Sequence, residues 1–186
     1  PDLIFNRDGF LGYSVFDTAQ PGQPWKFQAV SPQNKRYHKY THGVGYGDID
    51  GDGRVDLVES IGWWKQPEKV APSTPWAFHP FKFADAAAQM LVYDVDGDGR
   101  NDVITSWHCH LYGLVWYRQI SKADGSIDWE QHEILPIKPD LNSSQLRVSQ
   151  LHAFDVADFN GDGLTDPCRD AGGAITVAGD PPNDSA

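Results

Sequence analysis

Three nine-residue acidic loops constrain the fold of this chain more than any other feature. They read "DIDGDGRVD" at 48–56, "DVDGDGRND" at 94–102 and "DFNGDGLTD" at 158–166. Carboxylates gathered this closely repel one another, and glycine weakens regular secondary structure. A bound cation removes the repulsion, and an ordinary solvated turn poorly explains a pattern that occurs three times. The loops therefore predict cation sites.

The same loops account for the net charge of the chain. The formal charge is −11, from 26 acidic and 15 basic residues. Eleven of the acidic side chains lie in the three loops, so the remainder of the chain is balanced. This distribution argues against nucleic acid or an anionic membrane as a partner, because either would require a basic surface. No stretch approaches the roughly 18 apolar residues of a membrane-spanning helix.

The spacing of the oxygen donors indicates which cation is bound. Side chains at positions 1, 3, 5 and 9 of each loop, with the carbonyl at position 7, form an all-oxygen shell that suits Ca²⁺ rather than Zn²⁺. Glycine at position 6 permits a sharp turn, and glycine at position 4 keeps the loop free of side-chain bulk. The predicted ligands are Asp48, Asp50, Asp52, Arg54 and Asp56; Asp94, Asp96, Asp98, Arg100 and Asp102; and Asp158, Asn160, Asp162, Leu164 and Asp166.

An EF-hand is the main alternative, because its calcium loop begins in the same way. That motif requires a glutamate at position 12 and a helix on each side. Position 12 is Glu59 in the first loop but Thr105 and Arg169 in the others. The flanking segments, such as "MLVYD" and "VDLVES", are short β-branched or aromatic runs typical of strands. The loops are therefore predicted to join strands.

Aligning the chain on its loops exposes a repeat of about fifty residues and four strands, the size of a β-propeller blade. Trp25, Trp76 and Trp129 recur at one position of this repeat, 51 and 53 residues apart. Packing between blades explains this recurrence better than sugar binding does. Of the adjacent pair Trp63 and Trp64, one ring is expected to face outward, where it could contact a glycan.

The segments "THGVGYGDIDGDGRVDLVESIGWWKQP", "AQMLVYDVDGDGRNDVITSWHCHLYGLVWYRQ" and "SQLHAFDVADFNGDGLTD" resemble FG-GAP repeats, also called VCBS repeats, of the bacterial secreted type. The resemblance implies an all-β fold, a partial β-propeller of about three four-stranded blades over residues 1–166. It also implies Ca²⁺ in the loops near the blade edges, and no single activity. Asn160 departs from the pattern, and its neutral oxygen should weaken the third site.

The resemblance is incomplete in two respects. Three repeats cannot close a ring of about seven blades, so the exposed sheet edges are expected to contact further blades or a partner chain. Asp2 matches the ninth position of a loop, which suggests that the chain begins inside a repeat. Residues 167–186 do not continue the pattern, and Pro167 falls where a strand should begin, so this tail is predicted to be disordered. The sequence leaves open whether Cys109 and Cys168 are paired.

Histidines form a second group of candidate site residues. His42 and His152 each stand six positions before the first aspartate of their loops, whereas the second repeat has Ala88 there and offers His108 and His110 on its following strand. Equivalent strand ends of propeller blades point toward a shared face. The four imidazoles are therefore a candidate transition-metal or general-base site near the propeller axis. The alternative is that they are hydrogen-bonding residues of the core or rim.

Two functional interpretations remain. In the first, the chain is a calcium-stabilised binding or scaffold module of an exported protein, extracellular or periplasmic, with a protein or glycan ligand. In the second, it is a fragment of a propeller enzyme acting on carbohydrate, with the histidines and the outward tryptophans forming the site. The sequence has no G-x-S-x-G elbow and no phosphate-binding glycine loop.

Overall fold

The computed structural model of the chain describes residues 2–72, 74–138, 148–156 and 176–178. These residues form thirteen strands and no helix, which confirms the all-β prediction. The strands are β1 (Asp2–Arg7), β2 (Phe10–Val15), β3 (Lys26–Ala29), β4 (Val44–Gly47), β5 (Asp56–Glu59), β6 (Gly62–Lys65), β7 (Ala77–Pro80), β8 (Met90–Tyr93), β9 (Asp102–Ser106), β10 (Leu114–Ser121), β11 (Ile127–Leu135), β12 (Ala153–Asp155) and β13 (Thr176–Ala178).

The strands pair in chain order into four antiparallel sheets. The first sheet contains β1-β2-β3, the second β4-β5-β6-β7, the third β8-β9-β10-β11 and the fourth β12-β13. Within the described part of the chain these sheets are open and do not close into a barrel. Each of the first two acidic loops connects the first strand of a four-stranded sheet to the second strand. The prediction that the loops join strands rather than helices is therefore confirmed for these two loops.

Alternating glycines let the second and third sheets approach closely. Gly45 and Gly47 occupy alternate positions of β4, so they share one side of the strand. A Cβ on Gly45 would lie 2.2 Å from the carbonyl oxygen of Met90, and one on Gly47 would lie 2.6 Å from the Cβ of Val92. No side chain fits in this space. The glycines are therefore required by the contact between β4 and β8.

The main hydrophobic core lies between the second and third sheets. Both sheets contribute large buried side chains, among them Val58, Trp63, Tyr117 and Trp129. A second cluster joins the first two sheets around Trp76, whose ring lies 6.1 Å from that of Tyr13. Trp76 and Trp129 thus pack as predicted from their recurrence. Trp25 is only partly buried and contacts Phe16, with 5.1 Å between ring centroids.

The adjacent tryptophans of β6 differ from the prediction. Trp63 is 3% exposed and Trp64 is 6% exposed, although their side chains point to opposite faces of the sheet. Trp63 packs toward the third sheet and Trp64 packs toward the first. Both faces of the second sheet are covered, so the expected outward ring for a glycan is wrong for this pair.

The structure describes only short segments of the C-terminal part of the chain, 148–156 and 176–178. The third acidic loop, 158–166, lies outside the described residues, as does Cys168. Of the tail predicted to be disordered, Thr176–Ala178 forms β13 and pairs with β12. The rest of the tail lies outside the described residues, and its predicted disorder stays a prediction.

Candidate metal sites

The first two acidic loops each bring three carboxylates together. In the first loop these belong to Asp48, Asp50 and Asp56, and oxygen atoms of the three lie within 4.8 Å of one another. The second loop repeats the arrangement within the same limit, with Asp94, Asp96 and Asp102. The residues stand at positions 1, 3 and 9 in both loops. Either cluster could hold a metal ion.

The aspartate at position 1 organises the loop around itself. The carboxylate of Asp48 accepts hydrogen bonds from the backbone N–H groups of Asp52 at 3.0 Å and Gly53 at 2.9 Å. Asp94 accepts from the corresponding N–H groups of Asp98 and Gly99. These bonds curl the backbone around one carboxylate, so the turn forms from local interactions.

Both glycines of each of the first two loops adopt a conformation that other residues avoid. Gly51 and Gly53 have φ values of 74° and 82°, and Gly97 and Gly99 have values of 75° and 86°. A Cβ on Gly51 would have no neighbour within 4 Å. The prediction that glycine at position 4 avoids a clash with a side chain is therefore wrong for Gly51, because a Cβ there would meet no other atom. The left-handed backbone is what requires it.

The aspartate at position 9 is fully buried and ties the loop to its sheet. Asp56 is 0% exposed and accepts hydrogen bonds from the N–H groups of Ile49 at 3.0 Å and Gln66 at 2.8 Å. Burial, with a smaller contribution from the negative charges of Asp50 and Asp52, raises the pKa of Asp56 to about 6, although the two hydrogen bonds lower it. A cation beside this carboxylate would favour its ionised form.

Asp102 occupies the same position in the second loop. It accepts from the N–H groups of Val95 and Gln119 and from the indole nitrogen of Trp116 at 2.9 Å. Burial raises the pKa of Asp102 as well. The two loops therefore share the buried carboxylate and two of its backbone contacts.

Basic side chains pair with the aspartates at position 5. Asp52 forms ion pairs with Arg54 and with Lys65, the latter at 2.9 Å. Asp98 pairs in the same way with Arg100 and with Arg118, the latter at 3.0 Å. The hydrogen bond from Lys65 is the main reason that the pKa of Asp52 is lowered. Neither Asp52 nor Asp98 joins the three-carboxylate cluster of its loop.

Lys65 and Arg118 contact the carboxylate clusters and are not among the residues predicted from the sequence. Lys65 also contacts Asp50, and Arg118 also contacts Asp96, so both reach into the clusters. Each stands at the same place in its repeat, directly before Gln66 and Gln119. That recurrence was the available signal. The arginines at position 7 were expected to contribute carbonyl oxygens, and this role stays a prediction.

The donor set fits a divalent cation that prefers oxygen. Each of the first two loops has four aspartates, and two basic residues pair with aspartates of the loop, which leaves a formal charge of −2 when all four aspartates are ionised. In the first loop, Asp50 Oδ1 is buried and accepts no hydrogen bond from the residues that the structure describes. A buried carboxylate oxygen without a donor is costly, and a metal ion would satisfy it.

Glu59, the position 12 residue of an EF-hand loop, has a different role here. Its carboxylate accepts hydrogen bonds from the hydroxyl of Tyr37 and the indole of Trp64, both at 2.8 Å, and it pairs with Arg36 at 3.0 Å. These partners hold Glu59 in the core, on β5. It is not one of the three carboxylates clustered in the first loop.

Three of the four predicted histidines converge at one place. His42, His110 and His152 offer ring nitrogens within 4.8 Å of one another, and all three residues are exposed. The ring centroids are 5.7 Å apart for His42 and His110, 5.9 Å for His42 and His152, and 5.0 Å for His110 and His152. His108 lies at the edge of the group, with its ring centroid 6.4 Å from that of His110.

Packing and backbone contacts between the sheets position the three histidines. The residue after His42, Gly43, packs against Ala87, where its Cβ would lie 2.7 Å from the Ala87 side chain. Cys109, next to His110, donates its N–H to the carbonyl of Ala86 at 2.7 Å. The N–H of Gln150 bonds to the carbonyl of Leu111 at 3.0 Å and places His152 beside His110.

Desolvation shifts the pKa values of His42 and of the neighbouring Cys109. Desolvation lowers the pKa of His42, and the neighbouring His110 and His152 lower it further. Cys109 Sγ lies 3.8 Å from His42 Nδ1, and burial raises the pKa of this thiol. Cys109 is a free cysteine. His42 therefore favours its neutral form, and the neighbouring Cys109 thiol favours its protonated form.

In the part of the chain that the structure describes, no helix has the length and apolar character needed to cross a membrane. The chain has no match among family models, curated proteins or solved structures.

Proposed function

We propose that this chain is a calcium-binding module of β-propeller type that serves as a binding or scaffold domain of an exported protein. One observation carries the proposal, the recurrence of the same three-carboxylate arrangement in the loops of two successive four-stranded sheets. The sheet order within each unit and the close packing of β4 on β8 are what successive FG-GAP or VCBS blades would require.

In this proposal Ca²⁺ has a structural role. An ion held by Asp48, Asp50 and Asp56 would cancel their mutual repulsion and supply a partner to the buried oxygen of Asp50. It would also join the loop to β6, because Asp56 already holds the N–H of Gln66. At a free ion concentration a hundredfold above Kd, each site would contribute about 2.7 kcal/mol to stability.

The calcium chemistry also leads to proposals about where the protein is located and what it binds. Extracellular calcium modules bind the ion with Kd values of about 10⁻⁴ to 10⁻³ M, which suits an extracellular or periplasmic protein. The open sheet edges would contact further blades or a partner chain. The ligand would be a protein or a glycan, and the acidic charge disfavours nucleic acid.

The alternative, a propeller enzyme acting on carbohydrate, has less support. It relied partly on an outward tryptophan, and the burial of Trp63 and Trp64 removes that element. The convergence of three histidines is the observation that still favours it. A metal site and a reaction are separate claims, and only the first has donor atoms in place. The binding module is therefore the function proposed.

A thermal melt of the metal-stripped chain, repeated with excess Ca²⁺ or Mg²⁺, tests the proposal. Each occupied calcium site should raise the melting temperature by about 5 to 10 °C, and elemental analysis should find calcium bound. The double variant Asp50→Asn with Asp96→Asn should lose the response of the first two loops. Asp124→Asn, in the β10–β11 hairpin, is the matched control. A melt indifferent to chelator, with no bound calcium, would refute the proposal.

A further inference from the structure

The three converging histidines form a site that differs in chemistry from the acidic loops. The His42, His110 and His152 group contains only imidazole donors, and no ion pair among the described residues joins these rings to a carboxylate. Neutral imidazole is a ligand for zinc, copper, nickel and iron, whereas Ca²⁺ takes oxygen donors. The oxygen donors of the acidic loops and the nitrogen donors of the histidines therefore lie in separate clusters.

We propose that His42, His110 and His152 bind one zinc-type transition metal ion, with a coordination position left open to solvent. Three protein ligands with a fourth position for water are the arrangement of catalytic zinc sites, whereas structural zinc sites are closed by four protein ligands. All three residues are exposed, so water or a small ligand can reach the ion. A metal ion bound in this way could activate a water molecule at its open position.

The distances in the group suit this assignment. A tetrahedral zinc ion with Zn–N bonds of about 2.0–2.1 Å separates its ligand nitrogens by about 3.3 Å. The candidate nitrogens lie within 4.8 Å of one another, so shifts on the order of 1 Å in exposed side chains complete the geometry. The histidines lie in segments next to the strands of three different sheets, and the contacts of Gly43, Cys109 and Gln150 limit how far they can separate.

Neighbouring groups already orient two of the rings. His152 Nδ1 lies 2.9 Å from the carbonyl oxygen of Gln150, which can only accept, so Nδ1–H donates this hydrogen bond and Nε2 is left for the metal. Such a bond from the second ring nitrogen is usual for histidine ligands. His42 Nδ1 faces Cys109 Sγ at 3.8 Å, which likewise points Nε2 of His42 away from the thiol. Cys109 is buried and acts as a neighbour of the site rather than as a ligand.

Titration of the full chain with Zn²⁺, in excess Ca²⁺ so that the acidic loops stay loaded, tests the site by calorimetry. His42→Ala, His110→Ala and His152→Ala should each weaken zinc binding more than about 100-fold, since losing even an outer-shell partner of a ligand costs about 10- to 100-fold. His38→Ala is the matched control, because His38 is exposed and lies outside the group.

Substitution with Co²⁺ gives a readout that needs no variant. The wild-type chain should develop the visible absorption of a four- or five-coordinate cobalt ion with nitrogen ligands, and Zn²⁺ should abolish it. Absence of zinc binding, or equal binding by the triple variant, would overturn the assignment. A thiolate-to-cobalt charge-transfer band would overturn the histidine-only ligand set. Because Ca²⁺ is present throughout, these outcomes are independent of the calcium proposal.

Discussion

Asn101, at position 8 of the second acidic loop, donates a hydrogen bond of 2.6 Å from its side-chain amide to the backbone carbonyl of Asp48, the first residue of the first loop. The side chain of Gln119 adds bonds to the carbonyls of Ile49 at 2.8 Å and of Asn101 at 2.6 Å. The two candidate calcium loops are therefore joined directly across the junction between their sheets.

Removing the hydrogen bond from Asn101 to Asp48 should lower both the stability of the chain and the calcium affinity of the first loop. Asn101→Val, which copies Val55 at the same position of the first loop, should lower the free energy of unfolding by about 1 kcal/mol, because the carbonyl of Asp48 loses its donor. Chemical denaturation measures this change, with Val55→Ala at an exposed position as control. The calcium affinity of the first loop should fall as well. An unchanged affinity would show that the loops are not coupled through Asn101.

Because of Asp56, at position 9 of the first loop, the calcium-free chain should become less stable as the pH rises. The pKa of Asp56 is about 6 in the folded chain against 3.8 when unperturbed, so the folded chain holds the proton more tightly. The free energy of unfolding should therefore fall between about pH 4 and pH 6, by up to about 3 kcal/mol from this group. Asp56→Asn should reduce the slope, measured by urea denaturation in chelator, while Asp124→Asn should not.

Saturating Ca²⁺ should reverse the sign of the dependence of folding stability on pH. Protons then compete with the ion for Asp56, so stability should rise with pH over the same range. A slope of the same sign with and without Ca²⁺ would contradict a metal at this carboxylate.

Lys65 should compete with the ion for the first loop. Lys65→Gln removes a cation that contacts Asp50 and lies 2.9 Å from Asp52, so calcium affinity should rise between about 1.5- and 5-fold. Stability in chelator should fall, since the carboxylates lose a neutralising partner. Calcium titration by calorimetry checks the affinity. Arg118→Gln should act likewise on the second loop, and Lys122→Gln, whose partner Asp128 lies outside both loops, should act on neither.

The close approach of β4 to β8 should not tolerate a methyl group. Gly45→Ala places a Cβ against the backbone of Met90 and should lower the free energy of unfolding by about 1 to 3 kcal/mol or more. Gly22→Ala is the control, because a Cβ there has no neighbour within 4 Å. Equal midpoints for the two variants in chemical denaturation would show that the sheets can separate without cost.

Local features of the chain were predictable from the sequence because they depend on neighbours along the backbone. The turn chemistry of the two described loops, the strands on either side of them, and the recurrence of Trp76 and Trp129 in the core all follow from residue type and spacing. The shared position of His42 and His152 likewise indicated a meeting point, and the structure brings both to His110.

The tertiary structure decided whatever depends on side chains from distant segments. It turned Asp52 and Asp98 toward Lys65 and Arg118, because those basic residues arrive on a neighbouring strand. It buried both Trp63 and Trp64, since a sheet with neighbours on two faces has no outward side. The sequence by itself determined which groups could bind a cation, through their chemistry and local spacing. Only packing between sheets decided which of those groups point at one another, because that depends on distances that no stretch of sequence contains.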